Sequence, residues 1–157
     1  MSTAFDPQAA QEIFDDFLFK MDDQIEGLQR EASRHGVVLN LTDASVGRLE
    51  KLFDLLAPPQ VSADVKSNYV VTFGRYLGEV MRLNHRGHWH LPLDDPKNVY
   101  FNQPVITGHR SAGVVFAPIS VMRAYAVRRK VGTVSTAFRN HADPNPNPLN
   151  LSDLAEE

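Results

Sequence analysis

The sequence predicts an α+β fold, with three N-terminal helices packed on a small antiparallel β-sheet and one further C-terminal helix. Apolar residues recur at helical spacing over the first half of the chain, and after Gly87 their period falls to 2, as in a half-buried strand. A chain of 157 residues, 43% hydrophobic and 22% charged, is long enough to bury one core. We therefore predict a single globular domain over residues 1–140 and a mobile, proline- and asparagine-rich tail over residues 141–157.

The first predicted helix covers residues 7–33. Asp6 precedes it as an N-cap, and Gly36 follows its end. The apolar stripe of this helix comprises Ile13, Phe14, Phe17, Leu18, Met21, Ile25 and Leu28. Because these residues are one, three or four positions apart, they indicate one amphipathic helix across the whole segment.

Two more helices are predicted before the strands. One begins after Thr42, a favourable N-cap, and ends at the prolines 58–59. The other covers residues 62–83 and carries Gly74 and Gly78 on one side. Glycine inside a helix costs about 1 kcal/mol relative to alanine. The pair therefore predicts that another element approaches this helix closely.

The second half of the chain predicts short strands and a last helix. Alternating apolar residues and turn-forming residues indicate strands over residues 88–93, 99–107 and 113–116. The last helix covers residues 118–130 and opens on a proline. Residues 133–138 favour neither helix nor strand.

The charge of the chain is divided along its length, although the formal net charge is only -3. Residues 1–31 hold eight acids and two bases, whereas residues 82–141 hold nine bases and two acids. Two such regions either face each other within the domain or face different partners.

The outer side of the first helix is the strongest candidate for a functional surface. At 100° per residue its acids lie opposite the apolar stripe, with Phe19 among them. We predict that Phe19 anchors a protein partner while the carboxylates orient a basic surface. The predicted partner-binding residues are Glu12, Asp15, Asp16, Phe19, Asp22, Asp23 and Glu26. The alternatives are a solvated helix face with one isolated aromatic, or a Phe19 covered by the tail or by the basic half.

The stretch 84–92 (NHRGHWHLP) raises the possibility of a metal site. His88 and His90 share one face of a predicted strand, and His85 at a helix end could join them around zinc. The alternative, which we favour, places His88 and His90 on the solvent face opposite a buried Trp89. In that case His85 lies at the carbonyl end of its helix, where cations are favoured. We therefore expect no bound metal and no cofactor.

The basic region 82–141 predicts an alternative function in nucleic-acid binding. Its cationic side chains could contact phosphates, and Trp89, Tyr125 or Phe138 could stack on bases. A pI of about 6.0 and the lack of a recognised nucleic-acid motif favour a protein partner instead.

Catalytic signatures are weak. The sequence contains no glycine-rich phosphate loop, no nucleophile elbow and no cysteine. Glu79 could pair with His85 or His109, but a chain with six histidines offers many such pairs. We therefore predict a protein that is not an enzyme. The absence of cysteine, of a basic-then-apolar leader and of a long apolar stretch predicts a cytoplasmic location without a membrane span.

Three short motifs resemble a bacterial family. They are residues 75–80 (RYLGEV) in a predicted helix, 87–89 (GHW) at a strand, and 116–118 (FAP) ahead of the basic helix 121–130. Over roughly residues 70–131 the chain is similar to poorly characterised small bacterial domains with a Leu-Gly-Glu helix and a Gly-x-Trp strand. Some of those domains resemble immunity or accessory proteins of secreted toxins. The resemblance implies a non-catalytic protein that neutralises a cognate toxin by contact.

Overall fold

The computed structural model describes residues 4–111 and 113–142. These residues form an α+β fold with six α-helices, one 3-10 helix and a two-stranded antiparallel sheet. In chain order the elements are α1 (Pro7–Phe19), α2 (Met21–Arg34), the 3-10 helix (Asp43–Arg48), α3 (Leu49–Leu56), α4 (Ala63–His85), β1 (His88–His90), β2 (Val105–Thr107), α5 (Pro118–Arg128) and α6 (Thr133–Ala142).

Helix α4 is the centre of the fold. All nine residues from 73 to 81 are buried, which requires neighbours on every side of the helix. Helices α2, α3, α5 and α6 contact α4, as do both strands. The predicted packing of three N-terminal helices on the sheet is not confirmed: α4 contacts both strands, whereas α2 and α3 pack on α4. Two strands of three residues each provide too little apolar surface to cover three helices.

Gly74 and Gly78 allow neighbouring elements to approach α4 closely. A Cβ atom at Gly74 would lie 2.7 Å from Cγ1 of Ile119, and one at Gly78 would lie 2.3 Å from Cη2 of Trp89. Both distances are far shorter than a normal carbon–carbon contact. The close approach predicted from these two glycines is confirmed.

The first predicted helix is interrupted at Lys20, between α1 and α2. A guanidinium nitrogen of Arg75 donates to the carbonyl oxygen of Phe17. In an uninterrupted helix that carbonyl would accept the N–H of Met21. The Arg75 guanidinium also lies 4.1 Å from the centroid of the Phe17 ring, and burial lowers its pKa. The break therefore has a tertiary cause that the local sequence does not contain.

The ends of this helical segment follow the predicted capping. Asp6 accepts hydrogen bonds from the backbone N–H groups of Gln8 and Ala9 at 3.0 and 3.2 Å. Gly36, with a φ of 73°, follows α2 in the left-handed conformation typical of a helix end.

The predicted apolar stripe is correct at its centre and wrong at its edges. Phe14, Phe17, Met21, Ile25 and Leu28 are buried. Ile13 is 72% exposed and Leu18 is 37% exposed. At 100° per residue these two lie roughly 60–80° from the centre of the stripe, at the edges of the buried face.

The β-structure is smaller than predicted. Strands β1 and β2 pair with Trp89 opposite Ile106. Residues 99–101 form a turn, and Phe116 contributes a single bridge to Ile106 instead of a third strand. Pro92 shortens β1 because proline has no N–H to donate to a ladder.

Residues 133–138, which the sequence left unassigned, belong to α6. The Glu50 carboxylate accepts the backbone N–H groups of Gly132 and Val134 at 3.0 and 2.8 Å, and so caps the start of this helix. Glu50 lies 82 positions before Gly132, so inspection of the local sequence could not reveal the cap.

Helix α6 continues to Ala142 and so includes two residues assigned to the tail. The rest of the predicted tail, residues 143–157, lies outside the described residues. In the described part of the chain, none of the helices combines the length and the apolarity needed to span a membrane.

Candidate functional site

The predicted partner-binding residues lie on α1 and α2, on either side of the break at Lys20, and we call this set of residues the acidic face. Its residues are Glu12, Asp15, Asp16, Phe19, Asp22, Asp23 and Glu26, all of them exposed. Phe19 is the last residue of α1, and 85% of it is accessible to solvent. No described residue covers its ring, so the basic half of the domain does not shield it.

Within the described residues, few carboxylates of the acidic face are paired with a cation. Asp16 forms an exposed ion pair with Lys20 at 2.9 Å, and Asp15 accepts a hydrogen bond from the Gln11 side chain at 3.0 Å. An exposed ion pair of this kind contributes at most about 1 kcal/mol. The other carboxylates of the face have no ion-pair partner among the described residues. The surface around Phe19 is therefore strongly negative.

Buried neighbours hold the segment that carries Phe19. Two residues earlier, the Phe17 ring packs edge-on against Trp89, with centroids 5.1 Å apart. Phe17 also receives the hydrogen bond and the cation–π contact from Arg75. Because the chain is fixed at this point, the exposure of Phe19 is a property of the fold and not of a frayed helix end.

Two arginines and a histidine of the basic half form ion pairs with acids outside the acidic face. The ion pairs join Arg82 to Glu79, His85 to Asp43, and Arg129 to Asp54. The pKa of Arg82 is raised, chiefly by its hydrogen bond to Glu79 and more weakly by the charge of Asp22. The exposed basic residues of this half are Arg86, Lys97, Arg123, Arg128, Lys130 and Arg139.

The three histidines considered for a metal site are not grouped in the structure. His85 Nε2 lies 2.7 Å from Oδ2 of Asp43. His88 and His90 are exposed on either side of the half-buried Trp89, as the favoured interpretation predicted. Among residues 4–111 and 113–142, no three His, Asp or Glu side chains are grouped so that they could hold a metal ion.

The buried carboxylate of Glu79 serves to hold the fold together. It accepts hydrogen bonds from Nε and Nη2 of Arg82 at 2.7 and 2.9 Å, and from Nε1 of Trp89 at 2.8 Å. Glu79 is thus engaged with an arginine and a tryptophan, and does not pair with a histidine as a catalytic dyad would. The hydrogen bond from Trp89 holds β1 against α4 beside Gly78.

The aromatic residues proposed for base stacking are not available on the surface. Tyr125 is 1% exposed and Phe138 is 3% exposed, while Trp89 is half-buried and hydrogen-bonded. Stacking on nucleic-acid bases requires an open ring face. The structure therefore removes the main support for the nucleic-acid alternative, although exposed Lys and Arg side chains remain.

Sequence reasoning missed a partly buried histidine pair. His109 Nε2 lies 3.1 Å from Nδ1 of His141, and both rings pack near Phe116. His109 Nδ1 is buried without a hydrogen-bond partner. Burial, helped by His141, Arg110 and His85, lowers the pKa of His109 to about 4. The two histidines are 32 positions apart, and no local signal links them.

We expect this pair to make the fold acid-sensitive. Since the pKa of His109 is lower in the fold than its ordinary 6.5, its contribution to stability is complete above about pH 6.5 and is lost as the pH falls towards 4. The ring is only partly buried, so we expect a loss of about 1–2 kcal/mol, below the roughly 3 kcal/mol of an unscreened shift.

Urea denaturation at pH 7 and pH 5, on the native chain and on His109→Gln, measures this effect. The native chain should lose more free energy of unfolding between the two pH values than the variant, because glutamine does not titrate. Equal losses in both proteins would show that the histidine pair is not responsible.

A second feature missed from the sequence is an open groove of about 390 Å³ between α5 and α6. Val121 and Ala124 line it from α5, Ala137 lines it from α6, and Tyr100 and Phe116 close it. The lining is mainly apolar, and none of its residues carries a carboxylate. The groove could not be predicted because one of its walls is α6.

Comparison with known proteins gives no family to which the chain can be assigned. No family model, no curated protein and no solved structure matches it.

Proposed function

We propose that this protein is a binding protein that engages a basic protein partner through Phe19 and the carboxylates around it. The single observation that carries the proposal is the 85% exposure of a phenylalanine in the middle of an acidic surface. A large aromatic side chain that remains in water forgoes roughly 2–3 kcal/mol of burial free energy. Covering it with a partner recovers that free energy.

The surrounding charges specify the kind of partner. Asp15 and Asp16 precede Phe19 on α1, and Asp22, Asp23 and Glu26 follow it on α2; these exposed carboxylates attract cations and repel acidic surfaces. Such charges raise the association rate and orient the encounter, while the aromatic residue among them supplies binding free energy. A basic protein surface with an apolar pocket fits both features.

We further propose that the partner is a cognate bacterial toxin with a basic surface, and that the chain neutralises it by direct contact without catalysis. This step rests on the resemblance of residues 75–80 and 87–89 to immunity-type domains. The structure gives these residues a scaffold role, because Gly78, Glu79 and Trp89 interlock. The contact surface lies elsewhere, on α1 and α2.

Substitutions on the acidic face should abolish binding and leave the fold intact. The partner to test is the product of the adjacent gene, assayed by surface plasmon resonance and by survival of cells that express both proteins. Phe19→Ala should weaken binding about 30-fold or more, because a central aromatic anchor contributes about 2 kcal/mol or more. Lysine at positions 15, 22, 23 and 26 should abolish both complex formation and protection.

Two controls separate this surface from general effects. Ile13→Ala removes an apolar side chain of α1 that is 72% exposed but does not belong to the acidic face. Asp94→Lys reverses an exposed charge outside α1 and α2. Both variants should bind within about threefold of the native chain. A neighbour that does not bind, or that binds Phe19→Ala and the four-lysine variant normally, would reject the proposal.

A further inference from the structure

The connection between α5 and α6 presents apolar and cationic side chains to solvent. Val127 is 75% exposed and Val131 is 87% exposed. Arg128 and Lys130, which lie between them in the chain, are exposed as well. We call these four residues the basic turn. Exposed apolar side chains beside unpaired cations are typical of a contact surface for an acidic partner.

Arg129 and Gly132 hold the basic turn in place. The backbone of Arg129 is left-handed, with a φ of 53°. Its guanidinium donates to Asp54 at 3.1 Å and to the carbonyl oxygen of Ala57 at 2.8 Å. Beyond the turn, the N–H of Gly132 donates to Glu50 at 3.0 Å. Both ends of the turn are therefore fastened to α3, so the exposure of its side chains is a property of the fold.

The cations on this surface outnumber the acids beside it. The charge of Arg129 is matched by Asp54, with which it forms an ion pair. Within residues 4–111 and 113–142, the exposed cations that form no ion pair here are Arg128 and Lys130 of the turn and Arg123 one helical turn before it. Glu50 adds one negative charge nearby, so the surface remains positive.

The acidic face has the opposite charge around an exposed apolar residue. Phe19 is 85% exposed, and Asp22 and Asp23 follow it within four positions. No ion pair among the described residues joins the acidic face to the basic turn. Every copy of the chain carries both surfaces. We infer that the basic turn binds the acidic face of a second copy, with the Phe19 ring against the two valines.

The two surfaces make this association head to tail. The acidic face lies on α1 and α2, whereas the basic turn lies at the end of α5, which packs on α4, α6 and β2. A contact between two different surfaces leaves one of each free at the ends of a dimer. The association can therefore continue into short chains.

The inference shares the acidic face with the proposed function but stands on the basic turn, so the two can fail separately. A few exposed charges and three apolar side chains form a small interface, for which we expect a dissociation constant on the order of 100 µM. The association should weaken as salt screens the charges. A tighter basic partner would displace the second copy, because both bind the same face.

Sedimentation velocity on the full chain over a concentration series tests the inference. The native chain should associate as its concentration rises. The turn variant carries Arg128→Gln, Lys130→Gln and Val131→Ser. The face variant carries Phe19→Ala, Asp22→Asn and Asp23→Asn. Each variant alone should associate about 30-fold more weakly or less. Because each retains the surface that the other lacks, an equal mixture should form a dimer that grows no further.

The matched control for the turn variant carries Lys97→Gln, Arg139→Gln and Val99→Ser. It removes two exposed cations and a valine that is 83% exposed, all outside the basic turn. It should associate like the native chain, and its melting temperature should match that of the turn variant within about 3 °C. A native chain that stays monomeric at millimolar concentration would overturn the inference, as would two variants that do not complement each other.

Vesicles of phosphatidylserine and phosphatidylcholine are the competing probe, because cations beside exposed valines also suit an anionic lipid surface. Under the inference, the vesicles should sediment with the native chain and with the turn variant to similar small extents. Vesicle binding that is strong and is lost only in the turn variant, together with a monomeric native chain, would assign the basic turn to lipid and overturn the inference.

Discussion

Replacing Gly78 by alanine should lower the free energy of unfolding by about 2–3 kcal/mol. The new Cβ atom would lie 2.3 and 2.4 Å from two atoms of the Trp89 ring, and 3.1 Å from Cγ of Pro118. The Trp89 ring cannot move freely, because its Nε1 donates to Glu79 and Phe17 packs against it. Overpacking costs of about 1–3 kcal/mol, together with a strained buried hydrogen bond, exceed the gain of about 1 kcal/mol in helix propensity.

The matched control is Gly27→Ala in α2. There a Cβ atom would meet only Nη2 of Arg30, at 3.9 Å. The same substitution should therefore raise the free energy of unfolding by about 0.5–1 kcal/mol. Urea denaturation of both variants should give changes of opposite sign. A neutral or stabilising Gly78→Ala would show that Trp89 does not lie against α4 as described.

The second large effect is expected from Arg75→Leu, which should lower the free energy of unfolding by about 2–4 kcal/mol. The substitution leaves the carbonyl of Phe17 without its buried donor and removes the cation–π contact with the Phe17 ring. An unsatisfied buried acceptor costs about 1–3 kcal/mol, and a desolvated cation–π contact is worth about 1–2 kcal/mol. Because this contact ends α1 one residue before Lys20, the position of Phe19 should change as well.

Hydrogen exchange and urea denaturation together measure this effect. In Arg75→Leu, protection should fall at the amides around the α1–α2 junction, while Arg123→Leu, at an exposed site, should change stability by no more than about 0.5 kcal/mol. A buried arginine can sometimes be replaced by an apolar side chain without loss. An unchanged stability would show that Arg75 does not hold the junction.

Local signals predicted much of the helical structure. Residues near each other in the chain signalled the N-caps at Asp6 and Thr42, the helix end at Gly36 and the close approach at Gly74 and Gly78. All of these features are present. The exposure of Phe19 was also predictable, since helical periodicity alone places it opposite the buried stripe.

Features set by distant residues escaped prediction. The break at Lys20 depends on Arg75, 58 positions from Phe17, and the start of α6 depends on a cap from Glu50. Residues 113–116 do not form the predicted strand, because only Phe116 pairs with the sheet, through one bridge to Ile106. The groove and the histidine pair both involve α6, so neither could be predicted once that helix was missed.

The described ion pairs of the basic half use Glu79, Asp43 and Asp54, and none of them uses a carboxylate of the acidic face. Trp89 and α4 interlock as a scaffold, and the binding surface that we propose lies on the exposed residues of α1 and α2.

The most direct test of the account is a fluorine NMR measurement on the chain with 4-fluorophenylalanine at position 19, at a concentration low enough to keep it monomeric. In the free protein the resonance should show the full H₂O-to-D₂O isotope shift of a solvated ring, and this shift should disappear when the basic product of the adjacent gene is added. A ring that is shielded in the free protein, or one that stays solvated in the complex, would contradict the central claim.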